Sequence, residues 1–233
     1  MKKMIKVKRP SVPASLQQYA DQWLADLLAK INEVGSYKEV AATYKFKYNQ
    51  PDVQAALERM YGGKCCFCES SVGETEYPAI EHRKPKSLPA FHKYIFDWNN
   101  LHWACPRCNT NKGSKWDPNY PILDPTADEP SDYFTFNVET CEAEPLTSPG
   151  RGKTTIDHVK LNRDGLVKFR KRIRTTALEC MLGLEQSSDT NAIQRFKKLL
   201  EDLLKVDIEH GFKAEHSMFV KQLIDDFEQG SVL

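Results

Sequence analysis

Two Cys-x-x-Cys pairs, Cys65-Cys66-Phe67-Cys68 and Cys105-Pro106-Arg107-Cys108, constrain this chain more than any other feature. Two residues between thiols make a tight turn that aims both sulfurs at one point, and two such turns supply the four thiolates of a tetrahedral structural Zn²⁺. Sulfur then fills every coordination position, so the ion braces the fold and leaves no open site for chemistry. The competing reading, four ordinary buried cysteines, needs two such pairs to arise together by chance. Cys66 falls inside the first pair at the wrong spacing and is left out of the ligand set.

Composition bounds the rest. At 233 residues and 40% hydrophobic content the chain has enough apolar side chain for one ordinary core. Its net charge of +1 gives no bulk attraction to polyanions, so any nucleic-acid affinity must come from local patches. The odd count of 7 cysteines, an N-terminus without an apolar signal core and the lack of any membrane-length apolar run predict a reducing cytoplasm, with no membrane partner and thiolates held on metal. Cys141 and Cys180 are expected to be free core thiols.

The loop between the knuckles carries Ile80-Glu81-His82-Arg83-Lys84-Pro85-Lys86, then Trp98-Asn99-Asn100-Leu101, and the second knuckle runs into Asn109-Thr110-Asn111-Lys112. This order resembles the HNH nuclease family with its ββα-metal motif. The resemblance implies that Glu81 and Asn109 hold a catalytic divalent cation, Mg²⁺ or Mn²⁺, at the scissile phosphate. It assigns His82 as the general base, a role that suits an imidazole because it titrates near neutral pH. Asn100 matches the family's middle Asn, which braces the loop carrying the His. Lys112 is expected to reach a phosphate or the product end, with Asn111 and Lys115 as weaker members of the same surface. The bland alternatives are that Asn109 caps the following helix and that Lys112 sits on a solvated face.

A narrower resemblance rests on Glu81-His82-x-x-Pro85-Lys86-Ser87, Trp98-x-Asn100-Leu101, Cys105-x-x-Cys108-Asn109-x-x-Lys112 and Pro121-Ile122-Leu123-Asp124-Pro125. These look like the HNH subunits of Septu-type and retron-associated anti-phage systems, over roughly residues 60 to 175. In such systems the nuclease works beside an ATPase that licenses cutting. Two departures stand out. Glu81 occupies a position where many HNH proteins have Asp, and Arg83 one where the narrower family often has an aromatic.

Taken in order, the chain divides into a basic arm and helices (1–60), the zinc-braced module (61–120), an irregular extension (121–153) and a helical region (154–233). Lys2, Lys3, Lys6, Lys8 and Arg9 with Pro10 and Pro13 describe an extended arm, laid on a partner or nucleic acid or else solvated, with the solvated tail the preferred reading. Leu16, Tyr19, Trp23, Leu24, Leu27, Leu28 and Ile31 fall on one helical face from Ser15, a candidate N-cap, to Val34, with Gly35 as the stop. A second helix is predicted over Asp52–Tyr61. Within the module, strands are expected at Tyr77–Glu81 and Leu101–Ala104, with a helix from near Cys108.

Arg83, Lys84, Lys86, His92 and Lys93 are interleaved with Phe91, Tyr94, Phe96 and Trp98. The cations suit phosphates, while the rings either stack on bases or fill the core; core is the preferred reading. Residues 118–149, rich in Pro, Asp and Glu, predict turns and one strand near Tyr133–Val138. Lys168, Arg170, Lys171, Arg172 and Arg174 offer a cationic helix face as a second phosphate-binding candidate. Apolar stripes through Ile193, Phe196, Leu199, Leu200, Leu203 and Leu204, and through Met218, Phe219, Leu223, Ile224 and Phe227, must bury against the first helices, an ATPase or a second copy.

The fold expected is therefore α+β, a zinc-braced ββα-metal module flanked by N- and C-terminal helices. The function expected is a metal-dependent endonuclease acting on nucleic acid, with DNA preferred. The alternatives are a zinc-knuckle module that binds nucleic acid or protein without cutting, and an RNA-cleaving toxin using the same site.

Overall fold

A computed structural model describes residues 7–73, 77–204, 206–207, 211–212 and 216–229. The order is α1 (Ala14–Val34), α2 (Ala42–Lys45), α3 (Pro51–Tyr61), β1 (Ala79–His82), β2 (Leu101–Ala104), α4 (Pro106–Lys112), β3 (Phe134–Phe136), β4 (Ala143–Pro145), α5 (Arg151–Val159), α6 (Asp164–Gln186), α7 (Thr190–Leu204), β5 (Val206–Asp207), β6 (Gly211–Phe212) and α8 (Ser217–Glu228). The chain is α+β, its strands pairing only in short antiparallel hairpins.

α1 ends where the apolar period ends, at Gly35, whose φ of 83° lets its N–H reach Ile31 O at 2.8 Å. Ser15 is not its cap. The helix begins one residue earlier, and Ser15 uses its N–H and hydroxyl on Asp52 of α3, at 2.9 and 2.7 Å. That double bond ties the first two long helices together, while Leu16 and Leu27 enter the core with Val53 and Leu57.

The arm is also not simply solvated. Arg9 donates to Trp98 O at 2.6 Å and Leu101 O at 3.0 Å, and Trp98 Nε1 donates back to Pro10 O at 3.1 Å. A guanidinium carries enough donors to serve several carbonyls at once, and Trp98 O takes its bond beside the one it accepts from Leu101 N, which pins residues 9 and 10 onto the start of β2. Lys2, Lys3 and Lys6 lie outside the described residues.

β1 and β2 pair in the register Ala79↔Ala104, Ile80↔Trp103, Glu81↔His102 and His82↔Leu101. The first strand starts at Ala79 rather than Tyr77 because Pro78 has no N–H to give the ladder. Tyr77 is left 94% exposed. The helix after the hairpin starts at Pro106, earlier than expected, since proline is favoured in a first turn and Cys105 Sγ accepts from Cys108 N at 3.4 Å as its cap.

Beyond the module, residues 118–149 form turns and the β3–β4 hairpin, and two of its acids, Asp124 and Asp128, pair internally. Asp128 takes a two-pronged bond from Arg151 of α5, and Asp124 faces Arg83 at 3.9 Å. On α6 the expected cationic face is broken: Arg170 is 2% exposed, donates to Leu166 O and Leu161 O, and lies over the Phe136 ring at 5.0 Å. Lys168, Lys171 and Arg172 remain exposed. α8 packs Phe219 on Phe136 and buries Met218, Val220 and Leu223, while the side chains of Phe196, Leu200, Leu203 and Leu204 on α7 lie outside the described residues. Cys141 and Cys180 are buried free thiols.

Candidate active site and metal centre

The four knuckle thiols meet. Sγ atoms of Cys65, Cys68, Cys105 and Cys108 all lie within 4.8 Å of one another, and all four residues are buried. Cys68 Sγ and Cys105 Sγ are 3.8 Å apart. A tetrahedral ion with Zn–S bonds of about 2.3 Å requires S–S edges of roughly 3.8 Å, so the donor set and its size both fit structural zinc. Cys66 is half-buried at the edge of the cluster, its N–H bonded to Trp103 O, which joins the first knuckle to β2.

One residue that the sequence reading passed over completes this centre. Arg163, at the α5–α6 junction, directs NH1 at Cys108 Sγ (3.4 Å) and NH2 at Cys68 Sγ (3.6 Å) and Cys105 Sγ (3.9 Å). A four-thiolate zinc carries two net negative charges, and the guanidinium offsets one of them; the thiolates in turn hold the Arg163 pKa above its ordinary value against the cost of burial. No spacing rule marks this residue, which lies 95 positions from Cys68. We expect Arg163→Ala to weaken zinc binding by about 10–100-fold, the range for loss of a partner behind the ligands. Competition with a chromophoric chelator measures it; unchanged zinc affinity would make Arg163 a bystander.

Glu81 and His82 leave β1 on alternate faces, as successive strand residues do. They nevertheless share an electrostatic environment. Lys112 of α4, only 1% exposed, forms an ion pair with the Glu81 carboxylate and donates to His82 O at 2.5 Å. Lys86 adds a second nearby ammonium and donates to Tyr48 OH at 2.9 Å. Lys112 is thus neither a solvated face residue nor, in this arrangement, a group extended toward substrate. Burial favours this because a carboxylate and an ammonium withdrawn from water each need the other. Burial raises the Glu81 carboxyl pKa, and Lys112 opposes that shift.

The His82 ring is fully enclosed. Its Nε2 lies 2.9 Å from Ile95 O, and Tyr48 stands edge-on with ring centroids 4.5 Å apart. A carbonyl only accepts, so Nε2 carries the proton and donates, and Nδ1 keeps the lone pair. Nδ1 is buried, with no hydrogen-bond partner among the described residues. Burial pushes the imidazole pKa well below its ordinary value, and the Lys86 and Lys112 cations push it further, against the bond to Ile95. The ring is therefore neutral, with its basic nitrogen unspent.

Asn100 clamps the segment that follows His82. Its Oδ1 accepts from Lys84 N at 2.7 Å, and its Nδ2 donates to Lys84 O at 3.2 Å and Tyr94 O at 3.0 Å. Tyr94 immediately precedes Ile95, so one amide side chain fixes both the chain leaving His82 and the carbonyl that orients its ring. Asn100 acts on the imidazole through backbone and is a positioning residue.

Asn109 lies on α4 one turn before Lys112, and residues three apart on a helix share a face. Among the described residues its side chain makes no hydrogen bond, and the helix cap it was weighed for is supplied by Cys105. Glu81 and Asn109 offer hard oxygen donors of the kind Mg²⁺ or Mn²⁺ takes, and one or two protein oxygens suffice where water and phosphate complete the shell. Asn111 turns away, its Nδ2 donating to Val159 O of α5, and Lys115 is exposed. His102, opposite Glu81 in the ladder, was also passed over; it is fully buried, bonds Tyr61 OH through Nδ1 at 2.6 Å, and burial pushes its pKa down to about 3.

Residues 65–115 match the family described as HNH endonuclease. The match starts on the first cysteine of the four-thiol cluster and ends just past α4. The chain is 28% identical to a Septu protein PtuB from Bacillus thuringiensis over 229 residues, covering 95% of this chain and 82% of that protein. It is 23% identical to a Septu protein PtuB from Bacillus mycoides (strain KBAB4) over 275 aligned positions, covering 96% and 90%. Among the described residues no helix is long and apolar enough to cross a membrane.

Proposed function

We propose that the chain hydrolyses phosphodiester bonds of nucleic acid, DNA in the first instance, as the nuclease of a Septu-type anti-phage system working beside an ATPase in the cytoplasm; the match of residues 65–115 to the HNH endonuclease family supports the chemistry. The last part of that reading draws on the likeness to the two Septu PtuB proteins, which runs nearly the full length of both partners rather than stopping at the zinc module.

The observation that carries the chemistry is the polarity of His82. With Nε2–H donated to Ile95 O, Nδ1 is left as an unpartnered base. A water oxygen bonds to phosphorus as its proton passes to Nδ1, the P–O ester bond opposite breaks, and the leaving oxygen takes a proton from solvent. Glu81 and Asn109 would hold the divalent cation, which when bound supplies Lewis-acid stabilisation of the charge developing on the phosphate oxygens. Lys112 keeps the Glu81 carboxylate in its buried position, and Asn100 keeps the ring aimed.

The test is nicking of supercoiled plasmid by the full chain, alone and with the proposed ATPase partner. Cleavage is expected to require added Mg²⁺ or Mn²⁺ while the thiolate-bound zinc stays in place. A protein that cuts nothing in either setting, yet binds nucleic acid, would favour the non-catalytic zinc-knuckle reading; cleavage of RNA alone would favour the toxin.

A further inference from the structure

The aromatics at 91–98 and Trp116, just past α4, divide into two populations. Phe96 and Trp98 are buried at 3% and 4% exposure and belong to the core. Phe91, Tyr94 and Trp116 do not: they are half-exposed and touch one another, Phe91 standing 4.8 Å from Trp116 at 68° and 6.4 Å from Tyr94. Over them lie cations. Lys84 Nζ is 3.6 Å from the Tyr94 centroid, Lys93 Nζ 5.1 Å from the same ring, and the Arg83 guanidinium 5.8 Å from Trp116.

These cations differ from the others near the site. Arg83 is committed to Ile122 O and Asp124 and buttresses Trp116 from behind. Among the described residues, Lys84 and Lys93 have no carboxylate partner. The nearest acids in sequence are occupied, Asp97 in capping Asn99 N and Asp117 in accepting from Asn119 N and Tyr120 N. The result is a wet cluster of π-faces rimmed by unneutralised ammonium groups, which an interior does not need and a polyanion with exposed rings would complement. It is also coupled to the chemistry by one peptide unit: Tyr94 O is held by Asn100, and the next carbonyl, Ile95 O, orients His82.

Building on the nuclease reading above, we propose that Phe91, Tyr94 and Trp116, with Lys84 and Lys93, form a platform that stacks unpaired bases of a single-stranded segment and delivers the adjoining phosphate to His82. Paired bases in a duplex keep their faces against their neighbours, so stacking on protein rings selects strands whose bases are free, while the lysines follow the backbone without reading sequence. The cut would then fall in single strands, loops or melted duplex rather than in intact helix.

Binding without cleavage tests this separately from catalysis. A short fluorescein-labelled oligodeoxynucleotide, and the same strand annealed to its complement, are titrated with the full chain without added Mg²⁺ or Mn²⁺, reading anisotropy and tryptophan emission. The single strand is expected to bind at least about tenfold more tightly than the duplex and to quench emission from Trp116. Tyr94→Ala and Trp116→Leu are each expected to weaken single-strand binding by about tenfold, in the range of one lost stacking contact, with Tyr94→Phe binding as the parent. Lys84→Gln should reduce the slope of log K against log[salt] by about 0.7.

Zinc content and melting temperature equal to the parent's show that the variants fold, and Tyr94, at the surface, serves if Trp116→Leu does not. Equal affinity for both forms, ring variants that bind like the parent, or no single-strand binding would each overturn the platform. If plasmid is nonetheless nicked, the nuclease reading survives that failure. Ring-dependent binding by a protein that cuts nothing, even with its ATPase, would separate the two in the opposite direction.

Discussion

His82→Ala should lower strand cleavage by about 10²–10⁴-fold, the usual worth of a positioned general base. The expectation rests on a single lone pair. Ile95 O takes the Nε2 proton, Nδ1 has no hydrogen-bond partner among the described residues, and burial with two flanking ammonium groups keeps the ring neutral, so alanine removes the imidazole nitrogen assigned to take a proton from water. The substitution also leaves a small void against Tyr48, so melting temperature and zinc content must be read beside the plasmid assay. The informative result is a folded, zinc-loaded variant that still binds nucleic acid and no longer cuts it. Equal residual cutting by parent and variant would remove His82 from the mechanism and return the site to the non-catalytic reading.

Cys105→Ser should have the larger effect on the molecule itself, costing the zinc and with it the fold of the module. Cys105 follows β2 directly, contributes a sulfur 3.8 Å from Cys68, caps α4 through Cys108 N, and accepts from Arg163. Structural zinc contributes about 10–16 kcal/mol to domains of this kind. That is comparable to or larger than the ~5–15 kcal/mol of net stability an entire protein has, so losing one ligand of four leaves too little to hold two four-residue strands and a seven-residue helix together. The parent should carry close to one zinc per chain by metal analysis and lose its cooperative melt when the metal is stripped. A Cys105→Ser protein that melts like the parent without zinc would refute the brace. Since β1 carries Glu81 and His82 while α4 carries Asn109 and Lys112, activity should fall in step with zinc occupancy.

How much of this was legible in advance depends on the kind of information each feature requires. The cysteine set was legible because ligand spacing is a property of a few contiguous residues. So were the second strand, the stop at Gly35 and the presence of α3, all of which follow from local periodicity and from backbone conformations that particular residues allow. The start of β1 was misplaced because Tyr77 suits a strand by itself, and only the proline after it denies the ladder its bond. Ser15 was misread for a related reason: its side chain had a better acceptor, Asp52, 37 residues away.

The sequence by itself thus determined that two thiol pairs would close one metal-sized cluster, and that a carboxylate–imidazole pair and an Asn–Lys pair would be carried on the strand and helix it braces. Only the tertiary structure decided what each cation does. Arg9 serves backbone carbonyls 89 and 92 positions away, Arg163 serves thiolates, Arg170 is buried in the helical region, Lys112 neutralises Glu81, and Lys84 and Lys93 are left over beside half-exposed rings. The physical reason is that a charge has no intrinsic role. Its free energy depends on how much water it loses and which opposite charge it meets, and both are fixed by chain segments that are remote until the fold brings them together.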